Sequence, residues 1–268
     1  MFKYGTTERH LISTLLKYER KNVKPILDYA IEKLGPTGID SYMNKRKALF
    51  EMFPNIHHSL KLSAIGLDHE RFLELMNTAR NNNCKVLVDA EESDIQGKID
   101  AQCNSAIANG YPQVYKTYQM YNKDALEKLM DDIEAFQHCN LTHNIKLVTH
   151  REVVYDNKEK TNESYDNAVK MLLKLAKDND NINVIFATHN KQSINLIKDT
   201  FEPNVHHAFL MGMEPPEILY TRINKLVHVP FGPLHMTTPY IARHFVENNR
   251  YLDAFLTYQR CSHYSQYN

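Results

Sequence analysis

The stretch Lys85-Val86-Leu87-Val88-Asp89 decides the fold. It is short, apolar and β-branched, it stops on a charge, and it reads as a buried strand. Seven more runs of this kind punctuate the chain: Pro25-Ala30, His58-Leu62, Gln113-Tyr118, Ile145-Val148, Asn183-Thr188, Val205-Met211 and Leu226-Pro230. Most are followed by a segment of helical period. Asp68-Asn81 carries Phe72, Leu73, Leu75 and Met76 among charges. Asn122-Phe136 carries Ala125, Leu126, Leu129, Ile133 and Phe136, and Ser164-Ala176 carries Ala168, Met171, Leu172 and Leu175. These are amphipathic faces at 3.6-residue spacing. Ser193-Asp199 and Thr237-Asn248 repeat the pattern. Strands that alternate with helices make a parallel sheet, because parallel strands need crossovers. Eight such units predict a (β/α)8 barrel of the α/β class. A doubly wound sheet is the alternative, and the GxGxxG turn with which it binds dinucleotides is absent.

The rest of the chain fits one domain over residues 1–268. Residues 1–23 precede the first strand, and Thr6-Lys21 reads as a helix that caps the barrel. Residues 24–250 hold the barrel and a helix after its last strand, and 251–268 form a C-terminal extension with a polar tail. The chain has 268 residues, 43% of them hydrophobic and 24% charged, so it can bury a sizeable core and is not a disordered or collagen-like sequence. Thirty-two basic residues balance thirty-two acidic ones, so no basic field recommends nucleic acid as a partner. Cys84, Cys103, Cys139 and Cys261 are scattered without CxxC spacing, which speaks for free thiols. His57-His58 and His206-His207 are adjacent pairs whose members point to opposite strand faces, so no metal site is expected. No apolar run reaches the roughly 18 residues of a membrane span. The N-terminus carries no apolar leader, and the cytoplasm is the expected compartment.

In a barrel of this kind, chemistry sits at the C-terminal ends of the strands. Those ends offer Lys61, Asp89, Tyr118, Lys146, Thr188-His189-Asn190, Gly212-Met213 and His228. A charge that ends an apolar run is costly unless it is paired or used. Lys61, Asp89 and Lys146 turned into one cavity suit an anionic ligand or an electron-rich cofactor. The bland alternatives are a structural Lys–Asp pair closing the barrel, or lysines that alternate outward.

Four segments carry a resemblance: Leu87-Val88-Asp89-Ala90-Glu91-Glu92, Phe186-Ala187-Thr188-His189-Asn190, Val229-Pro230-Phe231-Gly232-Pro233, and Pro239-Tyr240-Ile241-Ala242-Arg243-His244-Phe245-Val246-Glu247-Asn248. In this order, at strand ends and on the last helix, they resemble the flavin-dependent proline dehydrogenase family. Ile26-Leu27-Asp28-Tyr29-Ala30, Ser59-Leu60-Lys61-Leu62-Ser63, Lys116-Thr117-Tyr118-Gln119 and Leu210-Met211-Gly212-Met213 extend the match. The resemblance implies a (β/α)8 barrel and the oxidation of L-proline, or a similar small secondary amine, to 1-pyrroline-5-carboxylate. It implies hydride transfer to N5 of FAD, a quinone as electron acceptor, and transient contact with a bilayer. Asp89 and Lys146 fall at catalytic positions. Lys61, Arg243, His244, Glu247 and His228 fall on the substrate side. Ala90, Lys116, Lys146, Thr188, His189 and Asn190 fall at cofactor positions.

The chain also departs from the family pattern. Arg243-His244 stands where the family pairs two arginines, so the carboxylate loses one guanidinium fork. His228 replaces a Tyr, Lys116 replaces a Gln or Asn, and Thr149-His150-Arg151-Glu152 replaces a basic residue followed by Gly-Ala-Tyr. These changes leave a second reading open, a barrel that binds flavin or a related ligand without efficient turnover. A third is a hydrolase or lyase using Asp89 and Lys61. Other roles compete residue by residue. Asp89 could cap the next helix, Thr188-His189-Asn190 could be a capping loop, Arg243 and Glu247 a solvated i, i+4 pair, and Lys116 a structural replacement.

Overall fold

The computed structural model describes residues 8–31, 36–149, 158–215 and 221–233. All eight expected strands form: β1 (Lys24–Tyr29), β2 (His57–Leu60), β3 (Lys85–Val88), β4 (Val114–Gln119), β5 (His143–Val148), β6 (Ile182–Ala187), β7 (Val205–Leu210) and β8 (Asn224–Phe231). Each pairs in parallel with the next. β8 then returns to β1, with Lys24 opposite Leu226 and Tyr29 opposite Phe231, which closes the barrel. Closure excludes the doubly wound sheet. β2 ends earlier than its apolar run because Leu62–Ile65 turns into a 3₁₀ helix, stopped by Gly66 at φ 75°, a left-handed conformation that suits glycine.

Five helices lie where the periodicity placed them: α1 (Glu8–Glu19), α3 (His69–Asn81), α5 (Ala125–His138), α6 (Lys158–Asp178) and α7 (Lys191–Ile197). α3 starts where Asp68 accepts a hydrogen bond from the backbone N–H of Arg71 at 3.0 Å, a side-chain N-cap. Two further helices, α2 (Pro36–Met52) and α4 (Ser93–Ala108), escaped the sequence reading. The buried stripe of α2 runs through Tyr42, Met43, Arg46, Leu49 and Phe50, so a fully buried arginine interrupts its apolar pattern. α4 buries Ile99, Cys103, Ala106 and Ile107 but carries Gly97 inside it and is polar in its first turns. The helix expected over Thr237-Asn248 and the extension over 251–268 lie outside the described residues. Among the described residues, no helix is long and apolar enough to cross a membrane.

Strand side chains alternate between two cores. Val86, Val88, Ile145, Leu147, Val184 and Phe186 point outward and pack with Phe72, Leu75, Met76, Leu129 and Leu172 of the helices. Ile26, Leu87, Tyr115, Ile185, Ala208 and Leu226 point inward and fill the lumen. The lumen is therefore a packed plug below its C-terminal mouth. The histidine pairs split across this boundary. His57 and His206 stand in the lumen with ring centroids 6.0 Å apart. His58 and His207 instead reach backbone carbonyls, those of Phe53 at 3.1 Å and Thr188 at 2.8 Å.

Candidate functional site

The alternation that fills the lumen also decides which polar side chains crown it. Asp28 lies two residues beyond the lumen residue Ile26 on β1, and His228 two beyond Leu226 on β8. Ser59 faces Asp28 across the β1–β2 ladder. Asp89 follows β3, and Lys146 occupies an inward position of β5 between the outward Ile145 and Leu147. The mouth is thus lined by two carboxylates, a hydroxyl, an ammonium and an imidazole, with Lys61 half-buried at the end of β2.

Asp89 is the hub. Ser59 Oγ donates to its Oδ2 at 2.7 Å, and Lys146 Nζ donates to its Oδ1 at 2.9 Å. Burial pushes the Asp89 carboxyl up, but the charges of Lys146, His228 and Lys61 and the Ser59 hydrogen bond outweigh it and hold the group well below the usual carboxylate range. Asp28 goes the other way. Burial, then the charge of Asp89, raise it to about 6 against the pull of Lys61, Arg46 and Lys146. On the neighbouring strand, His228 Nδ1 lies 3.8 Å from Asp28 Oδ2.

The loop after β3 is fastened across the mouth. Glu91 accepts from the Ser63 backbone N–H at 3.0 Å and from its hydroxyl, and Gln119 Nε2 donates to the Glu91 carbonyl at 2.9 Å. Thr117 Oγ1 donates to the Val88 carbonyl at 2.6 Å. Asp89 does not cap α4; Glu92 holds that position. The side chain of Asp89 is left to the lumen, with Ala90 half-buried beside it.

On the β6 side, the loop after Ala187 takes the capping role weighed for it. Asn190 Oδ1 accepts from the Gln192 N–H at 3.0 Å and caps α7, and Thr188 Oγ1 accepts from the Asn190 N–H at 3.1 Å. His189 Nε2 accepts from the Leu210 N–H at 3.3 Å. The loop is fixed at the mouth by its own hydrogen bonds.

Lys116 is a correction. Its strand position faces outward, and Nζ donates to Asn104 Oδ1 of α4 at 2.9 Å and to Asp132 of α5. Tyr118, also offered by a strand end, turns the same way and bonds Asp132 at 2.6 Å. Neither reaches the lumen, so a cofactor contact for Lys116 is withdrawn. Arg243, His244 and Glu247 lie outside the described residues. Sequence reasoning missed Asp28 and Ser59 as parts of the cluster. The signal was present, since Asp28 sits inside the apolar run Pro25-Ala30 and the cost of a buried charge that singled out Lys146 applies to it equally.

The fold and this charged mouth define a barrel of enzyme architecture, with titratable groups gathered where such barrels do chemistry. The profile of the proline dehydrogenase family matches residues 11–255, and the chain belongs to that family. Mitochondrial proline dehydrogenase 2 of Arabidopsis thaliana is 26% identical over 213 residues, which cover 67% of this chain and 44% of that protein. The carbapenem antibiotics biosynthesis protein CarD of Pectobacterium carotovorum is 26% identical over 91% of this chain and 77% of its own. The chain spans less than half the length of the Arabidopsis relative. Among solved structures, proline utilization A from Bdellovibrio bacteriovorus, inactivated by N-propargylglycine, superposes with a TM-score of 0.80 at 17% identity over 92% of this chain and 32% of that one. That likeness shares the barrel.

Proposed function

We propose that this chain oxidises L-proline, or a close cyclic secondary amine, to 1-pyrroline-5-carboxylate with bound FAD, and that a quinone is the final acceptor. The observation that carries this reading is the Lys146–Asp89 ion pair inside the mouth, in a chain of the proline dehydrogenase family.

The residues fit a flavin ring on the β4–β6 side of the mouth. Lys146 puts a buried ammonium there, Ala187 ends β6 with a small inward side chain, and the apolar plug below shields the ring from water. Lys146, Ala90, Thr188, His189 and Asn190 would hold it. The flavin, when bound, supplies two-electron acceptor chemistry. Lys146 would stabilise negative charge developing beside it, because a fixed cation in a site closed to water needs no reorganisation. Asp89 orients that ammonium through its 2.9 Å hydrogen bond. Lys61 stands on the opposite side, where it suits the substrate carboxylate. Arg243, His244 and Glu247 are assigned to the same carboxylate on the family resemblance.

Purified chain soaked in FAD is expected to hold a yellow chromophore absorbing near roughly 450 nm and to bleach with L-proline under anaerobic conditions. Asp89→Ala should keep the fold and lose the bleaching. Protein that stays colourless overturns the proposal. Protein that is yellow and does not bleach supports a binding barrel without turnover, the reading that the Arg243-His244 pair favours.

A further inference from the structure

A secondary ammonium cannot give up a hydride until its nitrogen has lost a proton, and the mouth holds two carboxylates that divide the work. Asp89 is committed: Ser59 and Lys146 occupy its two oxygens and keep it ionised. Lys146 is committed by the same bond. Asp28 instead faces an imidazole, His228, across the β1–β8 seam, with Nδ1 3.8 Å from Oδ2. Both stand on the lumen face, Asp28 opposite Ser59 of β2 and His228 opposite Ile26 of β1.

We propose that Asp28 and His228 form the proton-accepting pair of this site, which rests on the oxidation reading above. The N–H bond of the bound ammonium breaks and its proton passes to His228 Nε2, while Asp28, on the Nδ1 side, stabilises the imidazolium. The nitrogen lone pair so freed forms the C=N bond as the adjacent C–H bond breaks. The two electrons of that bond leave with the hydrogen as a hydride, taken by the flavin as the two-electron oxidant. One ammonium gives one iminium, one proton on the pair and one hydride on the oxidant.

The surroundings support this division. Asp28 is faced by Asp89 from the end of β3, Lys61 from the end of β2, Lys146 from β5, and Arg46 and Tyr42 from α2. His228 is faced by Asp28 and Asp89. Burial and Asp89 lift Asp28 to about 6 while Lys146 and its neighbours hold Asp89 down. Two carboxyls whose environments drive them apart mark separate acid–base roles. The 3.8 Å separation suits a pair that tightens when a cationic substrate enters.

Two measurements test the pair. Carboxyl-carbon NMR of aspartate-labelled chain should show one midpoint raised to about 6, absent in Asp28→Asn and moved in His228→Gln. Anaerobic flavin reduction by L-proline should fall on the acid side in the wild type. Each variant should be slower by about 100-fold at neutral pH and should recover by about tenfold per pH unit as solution supplies the free amine. Variants that keep wild-type rates and profile, or a wild-type chain with no carboxyl midpoint between about pH 5 and 7, overturn the pair and leave the oxidation reading standing. A flavin-loaded wild type that L-proline does not reduce at any pH overturns both.

Discussion

Two buried lysine–aspartate pairs stand on neighbouring strands, Lys146 with Asp89 and Lys116 with Asp132. In sequence the lysines are near twins, set in Asn144-Ile145-Lys146-Leu147-Val148 and Val114-Tyr115-Lys116-Thr117-Tyr118. The register puts Thr117, not Lys116, opposite Lys146, so the two ammonium groups leave opposite faces of the sheet. The inner pair stands on the lumen face. The outer pair is sealed between β4 and the helices α4 and α5, in a network with Asn104, Tyr118 and His143. A step of one residue along a strand separates a charge available to chemistry from a charge that only holds helices in place.

Stability should expose the outer pair first. Lys116→Met strands the Asp132 carboxylate and should cost about 3–5 kcal/mol in urea unfolding, while the double variant Lys116→Met, Asp132→Leu should recover most of it. The folded single variant should reduce its flavin with L-proline at nearly the wild-type rate. A stable Lys116→Met chain with slow reduction would reverse the roles assigned to the two faces.

Activity should expose the inner pair. Lys146→Met should slow flavin reduction by about 10²–10³-fold, the usual loss when one fixed stabiliser of developing charge is removed. Its unfolding midpoint should move less than that of Lys116→Met, because Asp89 keeps Ser59 and the field of Lys61. Equal losses of rate in Lys146→Met and Lys116→Met would erase the distinction.

The smallest effect separates the faces by the sign of their pH dependence. Burial lowers His143 in the outer network to about 3. A histidine depressed in the folded state lends stability above its ordinary value near 6.5, and that stability drains as pH falls. At about pH 5 the loss is on the order of 2 kcal/mol relative to pH 7, and His143→Gln should flatten it in urea midpoints. Asp28, raised to about 6, has the opposite sign. Its contribution is complete below the ordinary aspartate value and is lost as pH rises through about 6. Asp28→Asn should therefore raise stability at neutral pH relative to acid, and an unchanged slope in both variants would disconnect these groups from folding.

Most strands were legible as apolar or β-branched runs bounded by polar residues, and parallel strands are buried on both faces. The same property hid the facing of Lys116. Its neighbours on either side are buried too, so no in–out alternation of polarity marks which way it turns. Asp89 and Lys146 were legible as charges in apolar surroundings. Asp28 carried the same mark and was passed over. α2 was hidden by Arg46, which is fully buried with its guanidinium 5.2 Å from the Phe50 ring and reads as polar in any periodicity count. α4 was hidden by Gly97 and small residues, which pack well and stand out poorly.

The seam between β1 and β8 joins residues that the ribosome makes far apart. Until Phe231 has emerged, the growing sheet has two raw margins, β1 and β7, whose backbone groups invite pairing with another chain. Any truncation before Asn224 freezes that condition, so shortened products should clump rather than linger as smaller soluble folds.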